Sequence, residues 1–246
     1  MYLMSITSTI DRLHAKAREN KWLWLFSIFC RLALAAGFIP AGITKILGER
    51  FASGLPVVHP MGHYLEALHT TGYYYTFIGV VQVLAALMLL IPRTVTLGAF
   101  LYFPIILNIC ILSFAVRFDG SLFTAPLMVL ANLYVLAWHY EKWKYILPFN
   151  RQTAEHNDLP PRGLSYKFPV LFFAGVFAAF VLFVLVVPKM YSIMPRNSLE
   201  KCQRQFKDNR TKAGDDFCTC VHTKGDPLDK CLYEYYETPK EVTQTP

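Results

Sequence analysis

The sequence predicts an all-α polytopic membrane protein with a small helical tail. Three observations point there. Hydrophobic residues make up 54 % of the 246 residues and charged residues only 17 %, where a soluble domain carries about 25 % charge. Four stretches, 68–92, 94–116, 120–140 and 168–188, contain no Asp, Glu, Lys or Arg, and a fifth, 22–44, is broken only by Arg31. Each matches the roughly 20 apolar residues that cross a bilayer core. After residue 195 the chain turns polar and holds Cys202, Cys218, Cys220 and Cys231. A soluble domain, a disordered chain and a secreted disulfide mini-protein are excluded as classes for the whole chain. The 19 Phe and 14 Tyr suit membrane interfaces. The net charge of +7 reads as basic flanks facing anionic lipid, not nucleic acid.

In order along the chain, residues 1–21 form a cytoplasmic segment. Ile6, Ile10, Leu13 and Ala17 fall at helical spacing beside Arg12, Lys16, Arg18 and Lys21, which predicts an amphipathic helix on the membrane surface. Helices are predicted at 22–46, 73–91, 95–116, 122–139 and 168–188. Ala33-Leu34-Ala35 has the look of a signal cleavage site, but the apolar run continues past it, so the first helix reads as a retained anchor. The organisation is a four-helix membrane domain over 22–147, a cytoplasmic linker over 148–167, a fifth transmembrane helix over 168–188 and an extracytoplasmic tail over 189–246. Orientation follows from Lys and Arg: ten lie on the segments read as inner, and three (Lys45, Arg50, Arg117) on the outer loops. The N-terminus is then inside and the C-terminus outside.

In the tail, Leu199, Cys202 and Phe206 share a helical face, Asp226-Pro227 reads as an N-cap with Pro at the first helical position, and Leu228, Cys231, Leu232 and Tyr235 form an apolar stripe. About 50 residues bury little core and call for staples. Cys218 and Cys220 are too close for an easy mutual bridge, so each bonds outward, to Cys202 and Cys231 in one order or the other. Two structural disulfides fit best. A redox-active Cys-x-Cys pair and a zinc site are the alternatives, although zinc normally uses two close pairs. The tail reads as a compact exposed module on a tether of about ten residues, with more aromatic surface around Tyr233, Tyr235, Tyr236 and Leu232 than so small a core can hold.

Within the membrane, helix depth places Arg31, Gln82 and Asn132 in one layer, with Asn108 further out. Interhelical hydrogen bonding is the plain reading of this layer, with Arg31 held by Gln82 or Asn132. A headgroup or quinone site lined by Arg31, Gln82, Asn108 and Asn132 is the sharper one. Arg50 falls in a wet loop. The outer loop 47–72 also holds His59, His63, Glu66 and His69, residue types that bind zinc or copper, though an interfacial helix with scattered histidines explains them equally. Cys30 and Cys110 stand alone in apolar helices and read as packing residues.

The runs Arg31…Gly37…Gly42-Ile43-Thr44-Lys45, Tyr64-Leu65-Glu66-Ala67, 77–94 with Gln82 and Pro92-Arg93-Thr94, Pro104-Ile105-Ile106-Leu107-Asn108-Ile109 and 131–138 with Asn132 resemble the DoxX-like family of bacterial integral membrane proteins, over about residues 27–147. The resemblance implies a four-helix membrane unit in the bacterial inner membrane. Some relatives look like membrane subunits of thiosulfate:quinone oxidoreductases or partners of redox enzymes, and many have no assigned activity. The fifth helix and the tail lie outside the matched region. The expected function is a membrane subunit or scaffold, accessory to a redox or envelope complex, that presents the tail to an extracytoplasmic or membrane partner without catalysis of its own. The alternative is a quinone-binding oxidoreductase subunit. No nucleophile–base set or cofactor motif is visible. No cofactor is predicted, apart from quinone under that alternative.

Overall fold

In the computed structural model, which describes residues 11–144, 165–206 and 210–239, the chain is all-helical, with no strand among the described residues. Of the amphipathic N-terminal segment, residues 11–18 are helical. Residues 5–10 and most of the 148–167 linker lie outside the described residues.

The first long helix, α1 (Lys21–Ile46), starts where the Asn20 side chain accepts from the Trp22 and Leu23 amides, a standard N-cap. A short α2 (Pro60–His69) is capped by His59 and opens on proline, which forgoes a donor the first turn cannot use. Gly72 turns the chain at φ 62° into α3 (Tyr73–Leu90). Then come α4 (Val95–Ala115), α5 (Thr124–Trp138), the single turn α6 (Tyr140–Trp143) and α7 (Val170–Met190). Four of these helices, α1, α3, α4 and α7, are long and apolar enough to cross a membrane. The fifth apolar helix, α5, has 15 residues, about 22 Å.

Helix α1 packs on α3 and α5, α3 on α4, and α4 on α5, which closes a four-helix ring. Small and aromatic side chains fill it: Cys30, Leu34, Ala35, Phe38, Ala85, Ala86, Ala99, Tyr102 and Val135. The Phe38 and Tyr102 rings stack at 3.6 Å, and the Tyr102 hydroxyl donates to the Leu34 carbonyl at 3.1 Å. Where lipid replaces water, such close packing and internal hydrogen bonds hold helices together. Phe29, Leu32, Phe77, Leu97, Ile111 and Leu130 point outward and are exposed, the surface a membrane protein turns to acyl chains. Helix α7 stands beside the ring and touches it near its ends. Phe172 and Phe173 meet Phe26, each at 5.6 Å, and Val187 clusters with Leu122.

The tail consists of α8 (Leu199–Gln203), α9 (Thr211–Thr219), a π-turn (Cys220–Lys224) and α10 (Leu228–Glu237). The α10 cap is Pro227, one residue later than the sequence suggests, and Asp226 instead pairs with Lys230 at 3.0 Å.

Candidate functional site

The polar groups of the membrane unit do not assemble into one layer. Arg31 donates from Nε to the Leu89 carbonyl at 2.6 Å and from Nη2 to the Leu90 carbonyl at 2.9 Å. Those atoms lie seven and eight residues beyond Gln82, about 10 Å along α3. Two causes act. Side chains on a helix lean toward its N-terminus, so Arg31 extends back toward the start of α1. There it meets the end of α3, where the last four carbonyls lack helical partners. Leu87 receives the Ile91 amide, Met88 receives the Thr94 hydroxyl because Pro92 has no N–H to give, and Arg31 takes the remaining two. A cation at this terminus also suits the helix dipole. Arg31→Leu is expected to lower stability by about 2 kcal/mol, the range for charged hydrogen bonds, in a denaturation series in detergent. Arg93→Leu, at an exposed position, should lower it little.

Gln82 and Asn132 are buried, and Asn108 is exposed on the outer surface of α4. Asn132 Nδ2 donates to the Ala99 carbonyl at 3.1 Å. The Gln82 Oε1 and Asn132 Oδ1 atoms are buried without a protein partner. No hydrogen bond joins any two of Arg31, Gln82, Asn108 and Asn132, so the expected Arg31 contact to Gln82 or Asn132 is corrected to the α3 carbonyls.

The loop residues are likewise separate. His59 is fully buried and its Nδ1 accepts from the Met61 amide at 3.1 Å. His63 is exposed, Glu66 pairs with Arg50 at 3.4 Å, and a His69 ring nitrogen lies 2.9 Å from the Gly48 carbonyl. Among the described residues, no three His, Cys, Asp or Glu are placed to hold a metal ion. Arg50 is enclosed rather than wet, also donating to the Ala52 and Leu55 carbonyls. Lys45, counted above with the outer-loop cations, lies within α1. It is buried at the α1 end, donates to the Ala41 carbonyl at 3.0 Å and lies 4.5 Å from the Phe51 ring. Its signal was a lysine closing an apolar run beside aromatics.

In the tail, Cys202 pairs with Cys218 and Cys220 with Cys231, all at bonding distance and nearly inaccessible. Around them lie Ala213, Phe217, Val221, Leu228, Leu232 and Tyr235. Tyr233 and Tyr236 are 66 % and 56 % exposed. A cavity of about 310 Å³ beside Tyr235 is lined by Ser192, Ile193, Gln205, Phe206, Arg210 and Tyr236.

The module is seated, not loosely tethered. Ile193 and Met194 of the connecting segment are buried, and Met194 clusters with Leu122 and Val187. Arg117, between α4 and α5, donates to the Ile193 carbonyl at 2.7 Å and stacks over Tyr191. Arg196 pairs with Asp119 at 3.0 Å. His222 Nε2 lies 2.7 Å from the Pro195 carbonyl, and its ring centre is 5.7 Å from that of His59. Arg117 and Arg196 both hold left-handed backbone, φ 50° and 56°. That conformation costs about 1 kcal/mol in a non-glycine residue and is maintained here by the contacts of the seat. None of these pairings has a local sequence signal, since each joins residues far apart in the chain.

No family model matches the chain, and no solved structure matches it significantly. The chain is similar to the uncharacterized protein YwoB of Bacillus subtilis (strain 168), at 29 % identity over 137 residues, covering 54 % of this chain and 87 % of that protein.

Proposed function

We propose that the chain is a DoxX-like scaffold of the bacterial inner membrane, with its N-terminus in the cytoplasm and its tail outside. In this reading α5 also crosses the membrane, as the shortest of five spans, and the protein is accessory to a redox or envelope complex. The carrying observation is the seated tail. A stapled module fixed to the bundle presents Tyr233 and Tyr236 to the outside at a defined place. Exposed aromatic groups beside a groove are the usual anchors of protein contacts. The buried disulfides suit a structural role better than thiol exchange, which needs access to sulfur. Resemblance of fold alone would not carry an activity.

The test is affinity purification of full-length protein in mild detergent, with partners identified by mass spectrometry. Tyr233→Ser/Tyr236→Ser should lose a specific extracytoplasmic or membrane partner at least tenfold while both disulfides persist. Unchanged recovery of every partner would reject the scaffold reading. A quinone-binding subunit is the second reading. It is favoured by the buried Gln82 Oε1 and Asn132 Oδ1, acceptors that a quinol hydroxyl could meet. Turnover of quinone by the purified chain would establish it in place of the scaffold.

A further inference from the structure

We propose that protonation of His59 unseats the tail, so that acid releases the disulfide module from the membrane unit. The inference concerns the seat itself and does not depend on which partner the tail meets. His59 is fully covered where α2 begins, with Phe118 on one side at 6.0 Å and His222 of the π-turn at 5.7 Å. Its Nδ1 accepts the Met61 amide, so that nitrogen carries no proton in the seated state. The other nitrogen, Nε2, is buried and makes no well-formed hydrogen bond, its one compensation being the nearby Arg196 backbone. A second proton therefore has to enter on Nδ1. It would set a donor against the Met61 donor and remove the α2 cap.

The surroundings offer the new charge little compensation. On α2 itself, His63 is exposed and Glu66 is engaged with Arg50. Of the segments packed against it, the α4–α5 loop carries Arg117 and Asp119 on either side of Phe118, the connecting segment carries Arg196, and the π-turn carries His222 and Lys224; of these, His222 and Arg196 act on His59 directly. Asp119 is the single carboxylate among these last groups and is already paired with Arg196. A cationic His59 is best relieved by water, and water reaches it when the π-turn lifts away from His59.

Burial first, and His222 second, push the His59 imidazole down from 6.5 to about 4, with the Arg196 backbone pulling the other way. A lifted tail returns it to the ordinary value. The seated state is then fully favoured above about pH 6.5 and loses up to tenfold per unit as pH falls toward 4, at most about 300-fold in all. Below that both states bind the proton and no further loss follows.

Hydrogen exchange on the full-length protein in nanodiscs, corrected for the intrinsic pH dependence of exchange, reads the seat through peptides covering 191–197 and 218–225. Protection in the natural chain should fall between pH 7.5 and 4.5. His59→Asn keeps an acceptor for the Met61 amide, since asparagine is a strong N-cap, and cannot be protonated there. It should hold protection across the range. Asp119→Asn, which weakens the Arg196 pair without touching His59, should keep the acid response. Constant protection in the natural chain overturns the proposal. So does an acid response that survives in His59→Asn, or one that disappears in Asp119→Asn. Should His59→Asn leave the tail unseated at pH 7.5, the natural chain and Asp119→Asn decide: a shared acid midpoint between 4 and 6.5 supports His59, and any other result overturns it.

Discussion

Cys220→Ala/Cys231→Ala is expected to unfold the tail while the four-helix unit stays folded. The bridge closes a loop of separation 11, and removing such a constraint stabilises the unfolded chain by about 3 kcal/mol. The tail has little to set against this. Its interior is a single small cluster in which the four cysteines are themselves core residues, and modules of this size hold only a few kcal/mol in total. The vacated sulfur sites add a packing cost. Removing Cys202 and Cys218 as well should leave no protected structure over 210–237. Protease susceptibility at 210–237, followed together with the thermal transition of the helices in detergent, separates the two units. The tail should become cleavable at least a hundredfold faster, with the helical transition shifted only slightly. Retained protection in the double variant would show that apolar packing, not the staple, holds the module.

The helices were legible because a bilayer imposes a length and excludes charge. Charge-free stretches marked α1, α3, α4, α5 and α7 to within a few residues of their observed ends. The tail stripe Leu228, Cys231, Leu232 and Tyr235 was legible for a related reason: a short helix beside a small core must bury one face, and all four are buried. Cysteine pairing was only half legible. Spacing excluded an easy Cys218–Cys220 bond, but the order of the outward bonds depends on how α8, α9 and α10 pack. Arg31 was misplaced because residue counting locates a Cα atom, while a long side chain acts up to four carbons away, and here it leans toward an orphaned helix end. Asn108 was misplaced because depth says nothing of azimuth. It was placed further out than the other three lining candidates, and it is exposed on α4. The seat of the tail, from Arg117 and Asp119 to Arg196 and His222, was not legible at all. Its members come from a loop, a connecting segment and a π-turn, where no periodicity reports which face meets which.

Gly79→Ala is expected to disrupt the close approach of α1 and α3. A Cβ at Gly79 would stand 2.6 Å from the Gly42 carbonyl oxygen, 2.8 Å from Lys45 Cβ and 3.1 Å from the Ile46 nitrogen. Two of those atoms belong to the α1 backbone, which cannot move without the helix moving. Gly42 reciprocates: a Cβ added there would meet the Gly79 carbonyl oxygen at 2.8 Å. The two glycines let α1 and α3 approach nearly backbone to backbone, the device by which helices associate in lipid. Forcing them apart also lifts Lys45 from its place against Phe51 and Gln82 from its burial beside Gly42. We expect a loss of about 3 kcal/mol, at the upper end for overpacking, and complete failure of helix pairing for Gly79→Leu. Two other glycines calibrate the scale with identical chemistry. At Gly37 the nearest atom is the terminal methyl of Met128, at 2.5 Å, a flexible tip that can swing away, so Gly37→Ala should cost about 1 kcal/mol or less. At Gly175 nothing lies within 4 Å. Gly175→Ala should therefore be neutral, or stabilising by up to about 1 kcal/mol through helix propensity. Unfolding titrations in mixed detergent micelles should return the three in that order. Equal losses at Gly79 and Gly175 would mean that backbone contact is not what joins α1 to α3.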